Sequence, residues 1–289
     1  MNSCKIIDTF HNGVRTLYLE NDLIKVGILV DKGTDIFEFI YKPAKIDFMW
    51  KSRLGVRSPQ SFIPTITTEL GAFLDYYEGG WQELFPNADE PCNYKGADLG
   101  LHGEVCLMQW DFEILQNTSK QIEIKFSTST YRTPFHLEKK IRLMLGSPIL
   151  EFEETITNEG GEIMDFMWGQ HPALGAPFLD SNCVISLPKC KVRSDKLLES
   201  PFSRIAPDQV VEWPFINGKD EEIIDLSKVP PPAVKCNDRV FIYDFSQGWY
   251  AITNKVEEVG FAMRWDKHVF PFILYWQSYS GWAGYPFYS

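Results

Sequence analysis

The sequence predicts an all-β protein, a large antiparallel β-sandwich that occupies residues 1–289 as one domain. Three observations carry that prediction. Apolar and polar residues alternate in segment after segment, which is the period of a half-buried strand. Short polar turns (Asn21-Asp22, Asp31-Lys32-Gly33, Gly146-Ser147-Pro148, Asn158-Glu159-Gly160-Gly161) separate those segments and leave no room for crossover helices. Aromatic residues are 15% of the chain, which favours strands and supplies a sizeable core without staples.

In chain order, residues 15–19 read as a strand closed by Asn21-Asp22, and Ile24, Val26, Ile28 and Val30 alternate through the next. Residues 36–40 follow, ended by Pro43. Residues 61–77 depart from the pattern. There Phe62, Ile66, Leu70, Phe73, Leu74 and Tyr77 recur at helical spacing, with Ser61 as N-cap and Pro64 in the first turn, so a short helix is expected to deliver the chain to Gly79-Gly80. Residues 89–99 read as loop. Strands resume at 110–114 and at 121–130, where Ile122, Ile124 and Phe126 alternate with polar neighbours. Residues 135–145 and 149–158 form a hairpin; in its second arm Leu150, Phe152 and Ile156 share one face, and Glu151, Glu153, Thr155 and Thr157 the other. Further strands are expected at 183–187, 240–245, 249–253, 260–265 and 272–276. Between 191 and 232 the chain is proline-rich and reads mostly as loop. No internal repeat and no interdomain linker is visible.

A net charge of −11 repels phosphate backbones and anionic lipid, which argues against nucleic-acid and membrane partners. No segment is long and apolar enough to span a bilayer, and the polar first ten residues lack the core of a signal peptide. A cytoplasmic location is therefore expected, with Cys4, Cys92, Cys106, Cys183, Cys190 and Cys236 reduced and mostly buried. The cysteines lack CxxC spacing and the histidines lack ligand spacing, so no metal or other cofactor is expected. A nucleophile elbow of the GxSxG type is missing.

Two segments are dense in residues that make poor scaffolding and good sites. Gly79-Gly80-Trp81-Gln82-Glu83-Leu84-Phe85-Pro86-Asn87 continues in Gly100-Leu101-His102-Gly103-Glu104-Val105, and Trp168-Gly169-Gln170-His171-Pro172 repeats the same chemistry. Glycines let backbone approach closely or take positive φ. Tryptophan adds a flat apolar face, and glutamine, asparagine and histidine add hydrogen-bonding groups. The two segments are expected to face each other across one sugar-holding pocket, with His102 and His171 in it. His136 and His268 read as structural or solvated, and His11 carries no argument.

These motifs, in their order, resemble the galactose mutarotase-like superfamily, and within it the aldose 1-epimerase family. Gly33-Thr34-Asp35-Ile36 resembles its early turn, residues 79–87 its glycine-glycine to phenylalanine-proline motif, and Leu101-His102-Gly103 its first histidine motif. Residues 149–158 with Gln170-His171-Pro172 resemble the second histidine motif, and Asn237-Asp238-Arg239-Val240 the sugar-binding aspartate segment. The resemblance implies a supersandwich of antiparallel sheets. It also implies interconversion of the anomers of a free monosaccharide through acid–base ring opening, by a monomer or homodimer. In that scheme His171 is the acid and His102 hydrogen-bonds the ring oxygen or a neighbouring hydroxyl. Asp238, Gln82, Asn87 and Glu104 bind substrate, and Trp81 or Trp168 stacks on the sugar. Each has a plainer reading: His171 ends a strand before a proline, Asp238 occupies a turn, and the tryptophans fill core.

Two departures matter. Relatives acting on hexose 6-phosphates carry arginines where this chain has Glu78 and Cys106, which favours a neutral sugar. Catalytic relatives also place a glutamate base late in the chain, whereas no glutamate follows His268 here. Either the chain is shortened relative to its kin or another group is the base, with Glu83, Glu104 and Asp238 the nearest candidates. The alternative function is a non-catalytic carbohydrate-binding protein on the same fold.

Overall fold

The computed structural model describes residues 3–61, 71–196, 200–231 and 233–279. The chain divides into two compact units, residues 1–175 and 176–289.

The first unit begins with a meander: β1 (Lys5–His11), β2 (Val14–Glu20), β3 (Ile24–Leu29) and β4 (Asp35–Tyr41), with β5 (Ile46–Asp47) paired to β4. The sheet is completed by β6 (Trp81–Leu84) and β13 (Gly169–Pro172), in the order β1-β2-β3-β4-β6-β13. Between β6 and β13 lie a small ribbon, β7 (Cys92–Tyr94) with β8 (Ala97–Leu99), and a second sheet. That sheet has the order β12-β11-β10-β9: β9 (Asp111–Asn117), β10 (Gln121–Ser129), β11 (Phe135–Met144) and β12 (Leu150–Asn158). All pairings are antiparallel. The alternation seen in sequence is physical here. Ile122, Ile124 and Phe126 are fully buried while their neighbours on β10 are only partly so. Trp81 meets Phe152 at 5.2 Å between ring centroids, joining the two sheets.

The second unit holds a three-stranded sheet of β14 (Cys183–Ser186), β20 (Trp249–Asn254) and β21 (Val259–Arg264), in that order. A four-stranded sheet has β16 (Val210–Glu212), β15 (Lys191–Ser194), β19 (Cys236–Tyr243) and β22 (Phe272–Tyr279), and β17 (Phe215–Asn217) pairs with β18 (Ile223–Asp225). Its core gathers Cys190, Val192, Ile205, Ile216, Leu226, Val240, Ile242 and Phe245.

Of the helix expected over 61–77, the described residues show α1 (Gly71–Asp75), and 62–70 lie outside them. Two expectations are revised. The loop expected at 89–99 carries β7 and β8, and the loop expected at 191–232 carries β15 to β18. These strands are three or four residues long, too short for alternation to be read from sequence. Five cysteines are buried and Cys92 is exposed; none is in a disulfide. No helix of the described residues is long and apolar enough to cross a membrane.

Candidate functional site

β6 and β13 build the site. Their register sets Gln82 opposite His171 and Glu83 opposite Gln170, so each pair shares one face of the two-stranded ribbon. His171 and Gln82 project to one side. There the His171 imidazole lies 5.2 Å from that of His102, centroid to centroid, tilted by 43°. The sequence placed these two histidines in one pocket, and they are adjacent. Phe73 of α1 stands edge-on to both rings, at 4.6 Å from His102 and 6.2 Å from His171, and Tyr77 lies 5.9 Å from His171. This apolar wall disfavours charged imidazole. Burial, then the neighbouring His171, lowers the His102 pKa to about 3. Burial lowers that of His171 to about 4.

Glycines make the approach possible. Gly103 has φ +76°, and a Cβ there would stand 2.3 Å from the Phe85 carbonyl oxygen. Gly79 has φ +86°, and its Cβ would meet the Trp50 carbonyl oxygen at 2.3 Å. His102 itself takes φ +63°, a left-handed conformation uncommon outside glycine, although histidine adopts it more readily than most residues. Asn87 is buried and clasps the loop that carries His102: its side-chain N–H groups reach the carbonyls of Glu90 at 2.6 Å and Gly100 at 3.2 Å.

Behind Gln82 lies a buried ionic triad that the sequence did not disclose. Lys32 Nζ is 2.5 Å from Asp35 Oδ2 and 2.7 Å from Glu78 Oε2, and all three side chains are at most 2% exposed. Burial alone would lower the Lys32 pKa; the two carboxylates overcome it and hold the ammonium above its ordinary value. Asp35 is pushed well up, by burial first and by Glu78 also, against the pull of Lys32. Asp35 Oδ1 is the oxygen of the triad left without a hydrogen-bond partner among the described residues, while Glu78 Oε2 faces the Lys32 ammonium. Glu78 is thus no free charge at a pocket rim, and Cys106 is fully buried. Glu78 therefore does not repel a sugar phosphate, but neither position supplies the arginine that a phosphate would need.

The opposite face of the ribbon holds a second polar cluster, inside the sandwich of the first unit. Glu83 accepts from Lys139 Nζ at 2.7 Å and from the Trp168 indole N–H at 3.0 Å. Glu154, directly across from Lys139 in the β11–β12 register, accepts from Gln170 Nε2 at 3.1 Å. Burial, then Glu83, raises the Glu154 pKa. Trp81 donates to Gln170 Oε1 at 2.7 Å. Trp81 and Trp168 are therefore engaged on the side of the ribbon away from the two imidazoles. Reasoning from sequence missed Glu154 and Lys139, although each occupies the inward parity of its strand, where a charge is out of place.

Glu104 accepts from the Arg132 backbone N–H at 3.2 Å and from its guanidinium at 3.3 Å. Asp238 belongs to the second unit and is 1% exposed. It accepts from the Arg204 backbone N–H and Nε, each at 2.7 Å. All three carboxylates considered as bases, Glu83, Glu104 and Asp238, thus sit in ion pairs.

The architecture is shared with solved structures. Over 94% of this chain and 69% of the other, it is similar to a candidate aldose 1-epimerase from Klebsiella pneumoniae, at 14% identity and a TM-score of 0.69. It is similar to a TPR-domain-containing protein from Parabacteroides distasonis at 12% identity and TM-score 0.57, covering 88% of this chain and 36% of that one. A galactose mutarotase-like protein from Clostridium acetobutylicum matches at 14% identity and TM-score 0.50, over 94% of both chains. The fold is galactose mutarotase-like, an all-β antiparallel architecture. Residues 11–287, spanning both units, match the family described as Domain of unknown function (DUF4432), and the chain belongs to that family. No curated protein matches it in sequence.

Proposed function

We propose that the chain binds a free, non-phosphorylated monosaccharide beside His102 and His171 and interconverts its anomers by ring opening, as an aldose 1-epimerase does. The observation that carries this reading is the pair of adjacent imidazoles, neutral near pH 7, against the edges of Phe73 and Tyr77. Neutral imidazole can accept or donate a proton without the penalty of a buried charge. The fold shared with candidate aldose 1-epimerases supports the same reading. Gln82 contributes by orienting His171, and Asn87 by holding the His102 loop. Glu104 is retained as a substrate-binding candidate already paired with Arg132, whereas Trp81 and Trp168 are engaged on the far face of the ribbon and Asp238 is held by Arg204 in the second unit.

A second reading, sugar binding without catalysis, is favoured by one observation: Glu83, Glu104 and Asp238 are all ion-paired, which leaves none of them a ready base. Polarimetry on freshly dissolved α-galactose and α-glucose separates the two, with calorimetry on the same sugars and their 6-phosphates. Accelerated mutarotation with no gain from phosphate is the expected result. Binding without acceleration would establish the second reading, and absence of binding would refute both.

A further inference from the structure

The amide of Gln82 has only one orientation open to it. Its Nε2 lies 2.5 Å from the Gly79 carbonyl oxygen and 3.4 Å from Glu78 Oε1, both acceptors. Turning the amide over would set oxygen against oxygen, so Nε2 must face Gly79 and Glu78. The amide oxygen therefore faces His171, whose Nδ1 is 3.4 Å away. An oxygen that can only accept requires a proton on Nδ1. In a neutral ring the other nitrogen, Nε2, then carries the lone pair.

Glu78 is placed for this from the far side. It is 2% exposed and held by Lys32, which is itself fixed between Glu78 and Asp35. Lys32, Glu78, Gln82 and His171 thus form one continuous chain of polar contacts. An uncompensated carboxylate would not persist at Glu78; the ammonium of Lys32 keeps one there to accept from Gln82.

We propose that Lys32, Glu78 and Gln82 are positioning residues that fix His171 as its Nδ1–H tautomer and present Nε2 as a proton acceptor, making His171 the base of the site rather than its acid. This rests on the reading of His171 as a site residue. The step balances as follows. Nε2 takes the proton of the anomeric hydroxyl, and the C1–O bond becomes a carbonyl. The electron pair of the breaking bond between C1 and the ring oxygen goes to that oxygen, which takes a proton from water. On closure the freed hydroxyl attacks the other face of the carbonyl and gives its proton back to the hydroxide left by that water, while the imidazolium returns its proton to the C1 oxygen. The relay thereby supplies a proton acceptor within the site itself.

The test reads the tautomer directly, apart from any activity. In the ¹⁵N-labelled full chain, long-range ¹H–¹⁵N spectra should give His171 a pyrrole-like Nδ1 and a pyridine-like Nε2 near pH 7. Gln82→Ala should move the ring toward the Nε2–H form that free imidazole side chains prefer. It should also lower kcat by about tenfold or more with a smaller change in KM. Gln82→Met keeps the bulk and removes the acceptor without setting an oxygen against Gly79 or Glu78, so it should show the same shift toward Nε2–H. An Nε2–H ring in the unmodified chain, or an Nδ1–H ring kept in Gln82→Met, overturns the proposal, and the first holds even if neither variant folds. The expected tautomer in a chain that binds no sugar would instead leave the relay standing and sink the functional reading.

Discussion

Removing the ammonium of Lys32 tests the buried triad most severely. In Lys32→Met a side chain of similar length keeps the packing and deletes the charge. Two carboxyls then share a space closed to water, with Asp35 at 0% and Glu78 at 2% exposure. Breaking a buried pair by removing one partner costs about 3–5 kcal/mol, because the remaining charge is left uncompensated. The contrast is Arg15 with Asp8, also 2.7 Å apart but 41% and 44% exposed, where such a pair contributes roughly 0–1 kcal/mol. Distance is the same; burial decides. The assay is urea unfolding followed by near-UV circular dichroism at pH 7 and pH 5. A carboxyl whose folded pKa is raised favours the fold below its unfolded pKa and loses that contribution as pH rises, so the deficit should be smaller at pH 5. A Lys32→Met chain as stable as the parent at pH 7 would show that both carboxyls hold protons without Lys32, and the charge assignment of the triad would fall.

Other outcomes follow from the same geometry. Gly103→Ala should destabilise by at least about 2 kcal/mol, since the added Cβ would stand 2.3 Å from a carbonyl oxygen at φ +76°; thermal melting checks it. His171 titrates at about 4 in the fold against 6.5 for the free side chain, so it supports the fold above pH 6.5 and loses that support as pH falls toward 4. On the order of 3 kcal/mol is at stake, and His171→Gln should flatten the pH dependence of the urea midpoint over that window. His171→Ala should abolish mutarotation while changing the affinity measured by calorimetry far less. Lys139→Met should destabilise more than Lys140→Met, because Lys139 bridges to Glu83 within the sandwich while Lys140 meets Glu153 at the surface.

The long strands were legible because each buries one face, and burial writes itself as alternation. β10 is the clearest case, with Ile122, Ile124 and Phe126 inward. The pairing of His102 with His171 was legible through the glycines and amides around them. β6 and β13 were not, since all four residues of β6 are buried and β13 is Gly-Gln-His-Pro, so neither alternates. Lys32 read as a turn residue because Asp31-Lys32-Gly33 is a turn; that its side chain goes inward depends on Glu78, which only the fold brings near. Glu154 left a trace that could have been followed, a carboxylate in register with Phe152 and Ile156 on the apolar side of β12.

The clasp made by Asn87 has a consequence for how this loop can vary. Its amide ties down Glu90 and Gly100, and Gly103 is pinned beside Phe85, so the chain is anchored on both sides of β7 and β8. What lies between the anchors is a mostly exposed ribbon whose Gly96 meets open space, while Tyr94 and Lys95 beside it reach Asp165, Glu162 and Ile163. Lengthening such a tethered segment is cheap, about 0.6 kcal/mol for each doubling of a flexible loop. A few glycines and serines inserted after Gly96 should leave the NMR signals of His102 in place. The ribbon can then be read as an exchangeable cassette, free to change length and decoration among homologues while the imidazole downstream keeps its coordinates.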